Sequence, residues 1–239
     1  MPASGFPGFP QEGLEFFRKL KRNNRREWFQ PRKHLFDQHV KAPMVELVQA
    51  INRSMMSFAP DYVTEPSDAL FRIYRDTRFS HDKTPYKTHI GAIFTRRGLS
   101  KNTCPGLYFS VSDNEIEVAG GSYMPGKEEL AAIRRHIFEH HEELVHILRS
   151  RTLRRLMGEP QGDRLVRVPK GFPQDDTTGG LICYKQLYFY VLLDSAIATT
   201  PRLEREILTR FRAVLPLVEF LSKPLVPARK AAASHGILI

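Results

Sequence analysis

The chain has 239 residues, of which 41% are hydrophobic and 26% charged, and its formal net charge is +10. This apolar content excludes a disordered chain, and ordinary glycine and proline usage excludes collagen-like and low-complexity classes. Cys104 and Cys183 lie far apart and fit no metal-ligand pattern, and the N-terminal residues lack the apolar segment of a signal peptide. No apolar run is long enough to span a bilayer. We therefore expect a reduced, cytoplasmic protein without a membrane partner.

The positive charge is concentrated in two blocks. Residues 18–33 hold eight basic side chains against Glu27, a net charge of +7. Residues 72–87 hold five basic side chains against Asp76 and Asp82, a net charge of +3. The other residues carry equal numbers of basic and acidic side chains, so an anionic partner is expected to contact one or both of these blocks.

The first part of the chain has the spacing of helices. Apolar residues from Leu14 to Leu20 recur at helical intervals, and Asn24 with Glu27 forms a capping-box pattern that begins a second helix. Two prolines in the following residues are expected to divide that helix into segments. Residues 12–58 are therefore predicted to form a helical N-terminal layer.

The spacing then changes to the alternation of strands. Residues 70–75 and 90–94 are predicted as strands, and alternating segments on both sides of 113–114 predict a β-hairpin. Because one face of these segments is apolar and the other polar, the pattern favours an antiparallel sheet over a parallel one.

The second half of the chain mixes both patterns. A helix is predicted to open at Pro125 and Gly126, with an apolar stripe that runs to Leu148. Residues 165–168 and 187–193 are predicted as strands. A final helix follows Thr200 as its N-cap, because the next residue is a proline.

Together these elements predict an α+β fold. Its mainly antiparallel sheet would be covered by N-terminal, central and C-terminal helices. The chain contains no internal repeat and no long linker, so residues 6–222 are expected to form a single domain with flexible tails at 1–5 and 223–239.

The densest group of reactive side chains lies in residues 72–88, where a predicted strand runs into an irregular segment. Two arginines there could hold a phosphate or carboxylate between planar guanidinium groups, and lysines and hydroxyls would add charge and donors. We predict a site for a phosphorylated or otherwise anionic small molecule. Its predicted ligand-binding residues are Arg72, Arg75, Arg78, Asp82, Tyr86, Lys87 and Lys170, and its candidate catalytic residues are Asp76 and Lys83.

The same segment resembles the signature of a family of conserved hypothetical proteins in bacteria and fungi, domain of unknown function 2461. The resemblance rests on Arg-Asp-Thr-Arg-Phe-Ser at 75–80 and Asp-Lys-Thr-Pro-Tyr-Lys-Thr at 82–88, with weaker matching pieces such as Gly120-Gly121 and 169–172. It spans about residues 6–220. The resemblance implies a single domain of one fold and supplies no activity, so it leaves open whether the chain is an enzyme.

Two alternatives to the small-molecule site remain open. In the first, the basic blocks 18–33 and 72–87 contact the phosphate backbone of a nucleic acid, although no recognised nucleic-acid motif is present. In the second, Asp76 and Asp82 pair with the neighbouring arginines and hold the loop together. The chain would then be a structural or partner-docking module.

Four histidines lie between residues 136 and 146. On an ideal helix His136, His140 and Glu143 share one side, but no further ligand is evident and the His-Glu-x-x-His pattern is absent. The sequence therefore predicts no metal site. It identifies no cofactor and does not indicate an oligomeric state.

Overall fold

The computed structural model describes residues 5–78, 80–174 and 177–226. Four strands form an antiparallel sheet in chain order, joined by a tight turn at 113–114 and by longer connections. The strands are β1 (His89–Thr95), β2 (Gly106–Ser112), β3 (Glu115–Ser122) and β4 (Leu187–Asp194).

Helices surround this sheet. Five precede it: α1 (Gln11–Arg22), α2 (Arg26–Phe29), α3 (Lys33–Phe36), α4 (Ala42–Met55) and α5 (Pro66–Ala69). Three lie between β3 and β4, namely α6 (Lys127–Glu139), α7 (His141–Leu148) and α8 (Arg151–Met157), and α9 (Arg202–Ser222) follows β4. The predicted α+β fold with a mainly antiparallel sheet is confirmed.

One face of the sheet packs against α9. The ring of Phe211 on α9 contacts Phe94 and Phe109 at centroid distances of 5.8 and 6.4 Å, and all three side chains are fully buried. Burying such rings is the main favourable contribution to folding. The packing of α9 against the apolar side of the strands therefore explains the alternation that predicted them.

The opposite face of the sheet carries small, aromatic and ionisable residues. In one row across the strands, Gly91 pairs with Ser110 and Ser110 with Glu117. In the next row, Tyr108 pairs with Ala119 and Ala119 with Tyr190. Side chains alternate between the two faces of a strand, so these residues share the face that α9 leaves open.

The structure differs from the sequence prediction at two segments. Residues 70–75 are not a strand, because they pair with the rest of the chain only through isolated bridges from Leu70 to Ala92 and from Tyr74 to Tyr86. Residues 165–168 likewise lie outside any strand of the described chain. The backbone bends at Ile73 in the first segment and at Val166 and Arg167 in the second, so neither forms a continuous ladder.

Asn24 does not form the predicted capping box. The N-cap of α2 is Arg25, and its side chain makes no capping hydrogen bond. The amide of Asn24 instead pairs with the backbone of Tyr86: Nδ2 donates to the carbonyl oxygen at 2.9 Å, and the Tyr86 N–H donates to Oδ1 at 3.1 Å. This contact ties the N-terminal helical layer to the segment that precedes β1.

The other helix predictions hold with small changes. A 3₁₀ turn at Gln30–Arg32 and a π-helical turn at Asp37–Lys41 interrupt the helical path between α2 and α4, as the two prolines predicted. The central helix is divided at His140 into α6 and α7. The predicted N-cap of the final helix is wrong by one residue: α9 begins at Arg202 with Pro201 as its N-cap, and the hydroxyl of Thr200 accepts a hydrogen bond from the Arg202 N–H at 3.3 Å.

The ends of the predicted domain are only partly described. Residues 223–225 form a 3₁₀ turn after α9, whereas 227–239 and 1–4 lie outside the described residues. The domain limits and the tails therefore stay predictions. Cys104 and Cys183 are both free thiols. Among the described helices, none combines the length and the apolar composition needed to cross a membrane.

Candidate ligand pocket on the open face of the sheet

The open face of the sheet holds a cavity of about 690 Å³. This volume is typical of pockets that bind small molecules. The floor consists of small residues at Gly91, Gly106, Ala119 and Gly121, and the walls are aromatic. The wall residues are Phe71, Tyr108, Tyr123, Tyr188 and Tyr190.

Glycine at position 91 makes room for the ring of Tyr108. A Cβ atom at Gly91 would lie 2.7 Å from the Tyr108 hydroxyl oxygen, so the phenol lies directly across the backbone of β1. Tyr108 also contacts Phe71 at a centroid distance of 6.1 Å, and Tyr123 contacts Tyr188 at 5.1 Å. The pocket is therefore bounded by rings that contact one another in pairs.

Cationic groups lie at the β1 end of the pocket. Nζ of Lys87 and Nζ of Lys101 lie 5.0 and 5.6 Å from the centroid of the Phe71 ring. Lys101 Nζ also donates to the carbonyl oxygen of Asp68 at 2.7 Å. Lys87 Nζ has no hydrogen-bond or ion-pair partner within the described part of the chain. It is therefore a cation that lines the pocket without a counterion from the described residues.

The surroundings disfavour charge on these groups. Burial lowers the pKa of Lys87, and the nearby charge of Arg72 lowers it further. Burial also lowers the pKa of His89, followed by the charges of Lys87 and Arg75. Each of these shifts means that the charged form is less well solvated here than in water. An anion placed among them would offset that loss.

An acidic group lies across the pocket on β3. Burial raises the pKa of Glu117, and the neighbouring charge of Glu115 raises it further. Burial likewise raises the pKa of the Tyr108 hydroxyl to about 12, so this phenol stays protonated and able to donate a hydrogen bond. The pocket thus offers cations near β1, a carboxyl group on β3, and the Tyr108 phenol, whose hydroxyl lies over Gly91 of β1.

Residues 71–88, named here the signature loop, bring two residues into this pocket. The two arms of the loop pair through backbone hydrogen bonds from Arg75 N to Pro85 O at 2.9 Å and from Lys87 N to Ile73 O at 2.8 Å. The Phe71 N–H donates to the carbonyl oxygen of Gly91 at 3.0 Å. The base of the loop is therefore attached to β1, which places Phe71 and Lys87 in the pocket wall.

The tip of the signature loop is closed by its own opposite charges. Arg75 pairs with Asp82, and its Nη1 also donates to the hydroxyl of Thr84 at 2.7 Å. Arg78 binds Asp76 through two hydrogen bonds, from Nε at 3.0 Å and from Nη2 at 2.8 Å. These contacts have the arrangement expected if the arginines and aspartates pair with one another and hold the loop together. The ligand and catalytic roles predicted for these residues and for Lys83 stay predictions.

The carboxyl groups at the tip have strongly lowered pKa values. The Arg78 guanidinium lowers the pKa of Asp76 to about 2, and the Thr84 backbone N–H, followed by Arg75, lowers that of Asp82 to about 2. Because the pKa of each carboxyl is lower in the folded chain than its ordinary value, the ionised carboxylates stabilise the loop at pH values above that ordinary pKa. This stabilisation is lost as the pH falls through the lowered pKa of the folded chain. The loop contacts should therefore persist down to about pH 2 to 4.

Replacing Arg78 by alanine should change the pKa of only one of these two carboxyl groups. The pKa of Asp76 should rise toward the ordinary value of 3.8, because its largest interaction is lost, while that of Asp82 should stay near 2. Carboxyl chemical shifts followed by NMR from pH 1.5 to 6 measure both values in one sample. An Asp76 carboxyl that titrates at the same pH in both proteins would show that the Arg78 contact does not form in solution.

The remaining predicted site residues do not line the pocket. The ring of Tyr86 is 1% exposed and stacks on Phe29, and Arg72 and Lys170 are exposed. Among the described residues that the sequence predicted for the site, Lys87 alone lines the cavity. The sequence analysis missed His89, Lys101, Tyr108 and Glu117. Three of these lie on the polar side of alternating strands, which is the signal that could have identified them.

The basic block 18–33 is partly neutralised by the fold. Nζ of Lys21 lies 2.6 Å from a carboxylate oxygen of Asp113. Exposed arginines of the block have no ion-pair partner within the described residues; they are Arg18, Arg22, Arg25, Arg26 and Arg32. Binding of a nucleic acid to this surface stays a prediction.

Comparison with known proteins gives a family and no activity. No curated protein and no solved structure matches the chain significantly. The family model described as "Conserved hypothetical protein (DUF2461)" matches residues 12–220. This match includes all four strands, the signature loop and most of α9, and it agrees with the resemblance found at residues 75–88. The chain therefore belongs to the DUF2461 family of conserved hypothetical proteins.

Proposed function

We propose that the chain binds an anionic small molecule with a planar body in the pocket on the open face of the sheet. The observation that carries this proposal is the ammonium group of Lys87, which lines an aromatic cavity of about 690 Å³ without a counterion from the described chain. A phosphate or carboxylate is the complementary group. The proposal keeps the ligand class predicted from the sequence and moves its site from the tip of the signature loop to the base.

The electrostatics favour an anion at the β1 end of the pocket. The pKa of Lys87 is lowered by burial, so this ammonium has lost hydration, and no hydrogen bond from the described residues replaces it. Charge-assisted hydrogen bonds from a ligand would replace it, and they are stronger than neutral ones. Lys101 and His89 lie in the same wall and would add to the attraction.

The rest of the pocket suits a flat, partly polar ligand body. The small residues of the floor allow a ring to approach the sheet, and Tyr123 and Tyr190 remain 61% and 41% exposed at the rim. Aromatic side chains with exposed faces bury large areas when a planar group stacks on them. Glu117 could accept a hydrogen bond from a donor group at the far end of such a ligand.

The proposal is tested by a ligand screen with matched lysine variants. Thermal-shift measurements on the full chain would use aromatic carboxylates, nucleotides and sugar phosphates, and titration calorimetry would give a Kd for each hit. Lys87→Met keeps the length of the side chain and removes its charge, so we expect Kd to increase about 10- to 100-fold, which is the effect of one charged hydrogen bond.

Two further variants distinguish the competing sites. Lys41→Met changes an exposed lysine outside both the pocket and the signature loop, and it should leave Kd unchanged. Lys83→Met removes the charge at the loop tip, where Nζ donates to the Thr77 carbonyl oxygen at 2.9 Å. Weaker binding in Lys83→Met with unchanged binding in Lys87→Met would place the ligand at the tip and contradict the proposal. A screen without any hit would contradict it as well.

A further inference from the structure

Three potential metal ligands meet at the C-terminal end of α6, on a part of the molecule separate from the pocket. His136 and Glu139 belong to the last turn of α6, and His140 is the residue that caps its C-terminus. One nitrogen or oxygen atom of each side chain lies within 4.8 Å of the other two. The sequence pattern had grouped Glu143 with the two histidines, whereas the structure brings Glu139 to them.

His136 is the fixed member of this group. Its side chain is only 7% exposed, and its ring packs against Phe220 of α9 at 4.6 Å and against His140 at 4.5 Å. The Nε2 atom is buried and has no hydrogen-bond partner among the described residues. Buried polar atoms of native proteins nearly always have a partner. An imidazole held this way can bind a group that the described residues do not supply.

The side chains of the other two potential ligands can rotate toward a bound metal ion. Glu139 and His140 are exposed, and within the described chain neither side chain has a hydrogen-bond or ion-pair partner. A tetrahedral Zn²⁺ with ligands at 2.0–2.1 Å brings its donor atoms to about 3.3 Å from one another. The separation of up to 4.8 Å can therefore be closed by rotation of two exposed side chains.

Charged groups on neighbouring elements also face this cluster. Lys223, in the 3₁₀ turn after α9, acts electrostatically on His136 and would oppose a cation, whereas Glu143 on α7 acts with the opposite sign. Of the charged groups that act on His136, Glu139 belongs to the cluster and Glu143 lies beside it, which makes two carboxylates against the ammonium of Lys223. The local charge thus favours a divalent cation.

We propose that His136, Glu139 and His140 form a binding site for a divalent transition metal of the Zn²⁺ type. Two imidazoles and one carboxylate suit Zn²⁺, Co²⁺ and Ni²⁺, whereas Mg²⁺ and Ca²⁺ prefer ligand sets made of oxygen. Three protein ligands leave a coordination position for water or for another ligand. The inference does not depend on the proposed function, since no residue of the cluster lines the pocket.

The test uses Zn²⁺ and Co²⁺ alone with the full chain, purified without a histidine tag. We expect calorimetry to show one Zn²⁺ per chain, and Co²⁺ to give the visible absorption bands of a site with nitrogen and oxygen ligands. Glu139→Gln and His140→Ala should each weaken Zn²⁺ binding at least about 10-fold, because both remove a direct ligand. These residues are exposed, so their variants are expected to fold, which circular dichroism checks.

The matched control is His146→Ala, which removes an exposed histidine of α7 that does not belong to the cluster. It should bind Zn²⁺ as the wild type does. Equal weakening in His146→Ala, or Zn²⁺ binding that survives both Glu139→Gln and His140→Ala, would show that the metal lies elsewhere and would overturn the proposal. Absence of Zn²⁺ binding up to millimolar concentration would also overturn it.

Discussion

Replacing Tyr86 by alanine is expected to lower the free energy of unfolding by about 3–5 kcal/mol, the usual cost of removing a buried aromatic ring. The side chain is 1% exposed and stacks on Phe29 with a centroid distance of 4.0 Å. Tyr74 covers another side of the ring at 5.4 Å. The alanine variant would leave a cavity between the N-terminal helical layer and the signature loop. Urea denaturation followed by circular dichroism measures the change.

The same substitution should loosen the signature loop. The backbone of Tyr86 is held by the amide of Asn24, and the ring fixes this backbone against α2. Without the ring, the residues that follow lose their support, and these include Lys87 of the pocket wall. Amide hydrogen exchange in residues 71–88 should therefore accelerate more than exchange in β3, which Tyr86 does not contact.

Tyr86→Phe is the control for a role of the hydroxyl group. The hydroxyl oxygen lies 3.5 Å from Nε2 of Gln30, at the limit of a hydrogen bond, so its removal should change the free energy of unfolding by less than about 1 kcal/mol. The ligand-binding role predicted for Tyr86 from the sequence has a different consequence. If Tyr86 bound the ligand through its hydroxyl, Tyr86→Phe would weaken the binding of an anion and leave the free energy of unfolding unchanged.

The sheet and the long helices could be predicted from the sequence because each of their apolar patterns corresponds to one continuous packing contact in the fold. Alternation on both sides of 113–114 corresponds to strands that bury one face against α9, and the apolar stripe of α9 is the other side of that contact. Residues 70–75 also read as a strand, but a strand needs a partner along its length. Their neighbours supply only isolated bridges, which the local sequence does not encode.

For Asn24 too, the local sequence could not predict which segment the side chain would bind. An asparagine before a helix can cap the backbone N–H groups, or its amide can pair with another segment as a backbone would. The structure uses the second arrangement, since Tyr86 lies within reach. The choice depends on a residue that is 62 positions away in the chain, so the capping pattern alone could not decide it.

The candidate site was only partly predictable, for an electrostatic reason. The high density of charged residues predicted a site in the signature loop. The tip of this loop, however, contains acidic and basic residues that are near neighbours and pair with one another. The pocket instead combines Lys87, which precedes β1, with Tyr108 on β2 and Glu117 on β3. Each of these residues alone resembles an ordinary member of a polar sheet face. Only the strand register shows that they surround one cavity.

Replacing Gly120 by alanine is the second large effect that we expect. A Cβ atom at this position would lie 2.5 Å from Cγ1 and 2.9 Å from Cγ2 of Val214 on α9, distances that real Cβ contacts do not show. The backbone φ of Gly120 is not positive, so the expected cost comes from the collision and not from backbone strain. Strand β3 is hydrogen-bonded on both sides, by β2 and β4, and cannot move away. Overpacking of this kind costs about 1–3 kcal/mol.

A double-mutant cycle with Val214→Ala tests whether this collision is the cause. Val214→Ala alone should destabilise the chain, because it removes two buried methyl groups from the contact between α9 and the sheet. In the double variant, the methyl group that Gly120→Ala introduces occupies part of the space that the valine leaves, so the double variant should be more stable than the sum of the single effects by more than about 1 kcal/mol. Urea denaturation of the four proteins provides the cycle. Additive effects would mean that α9 shifts to accommodate the methyl, and that the close packing at Gly120 does not set the position of α9 on the sheet.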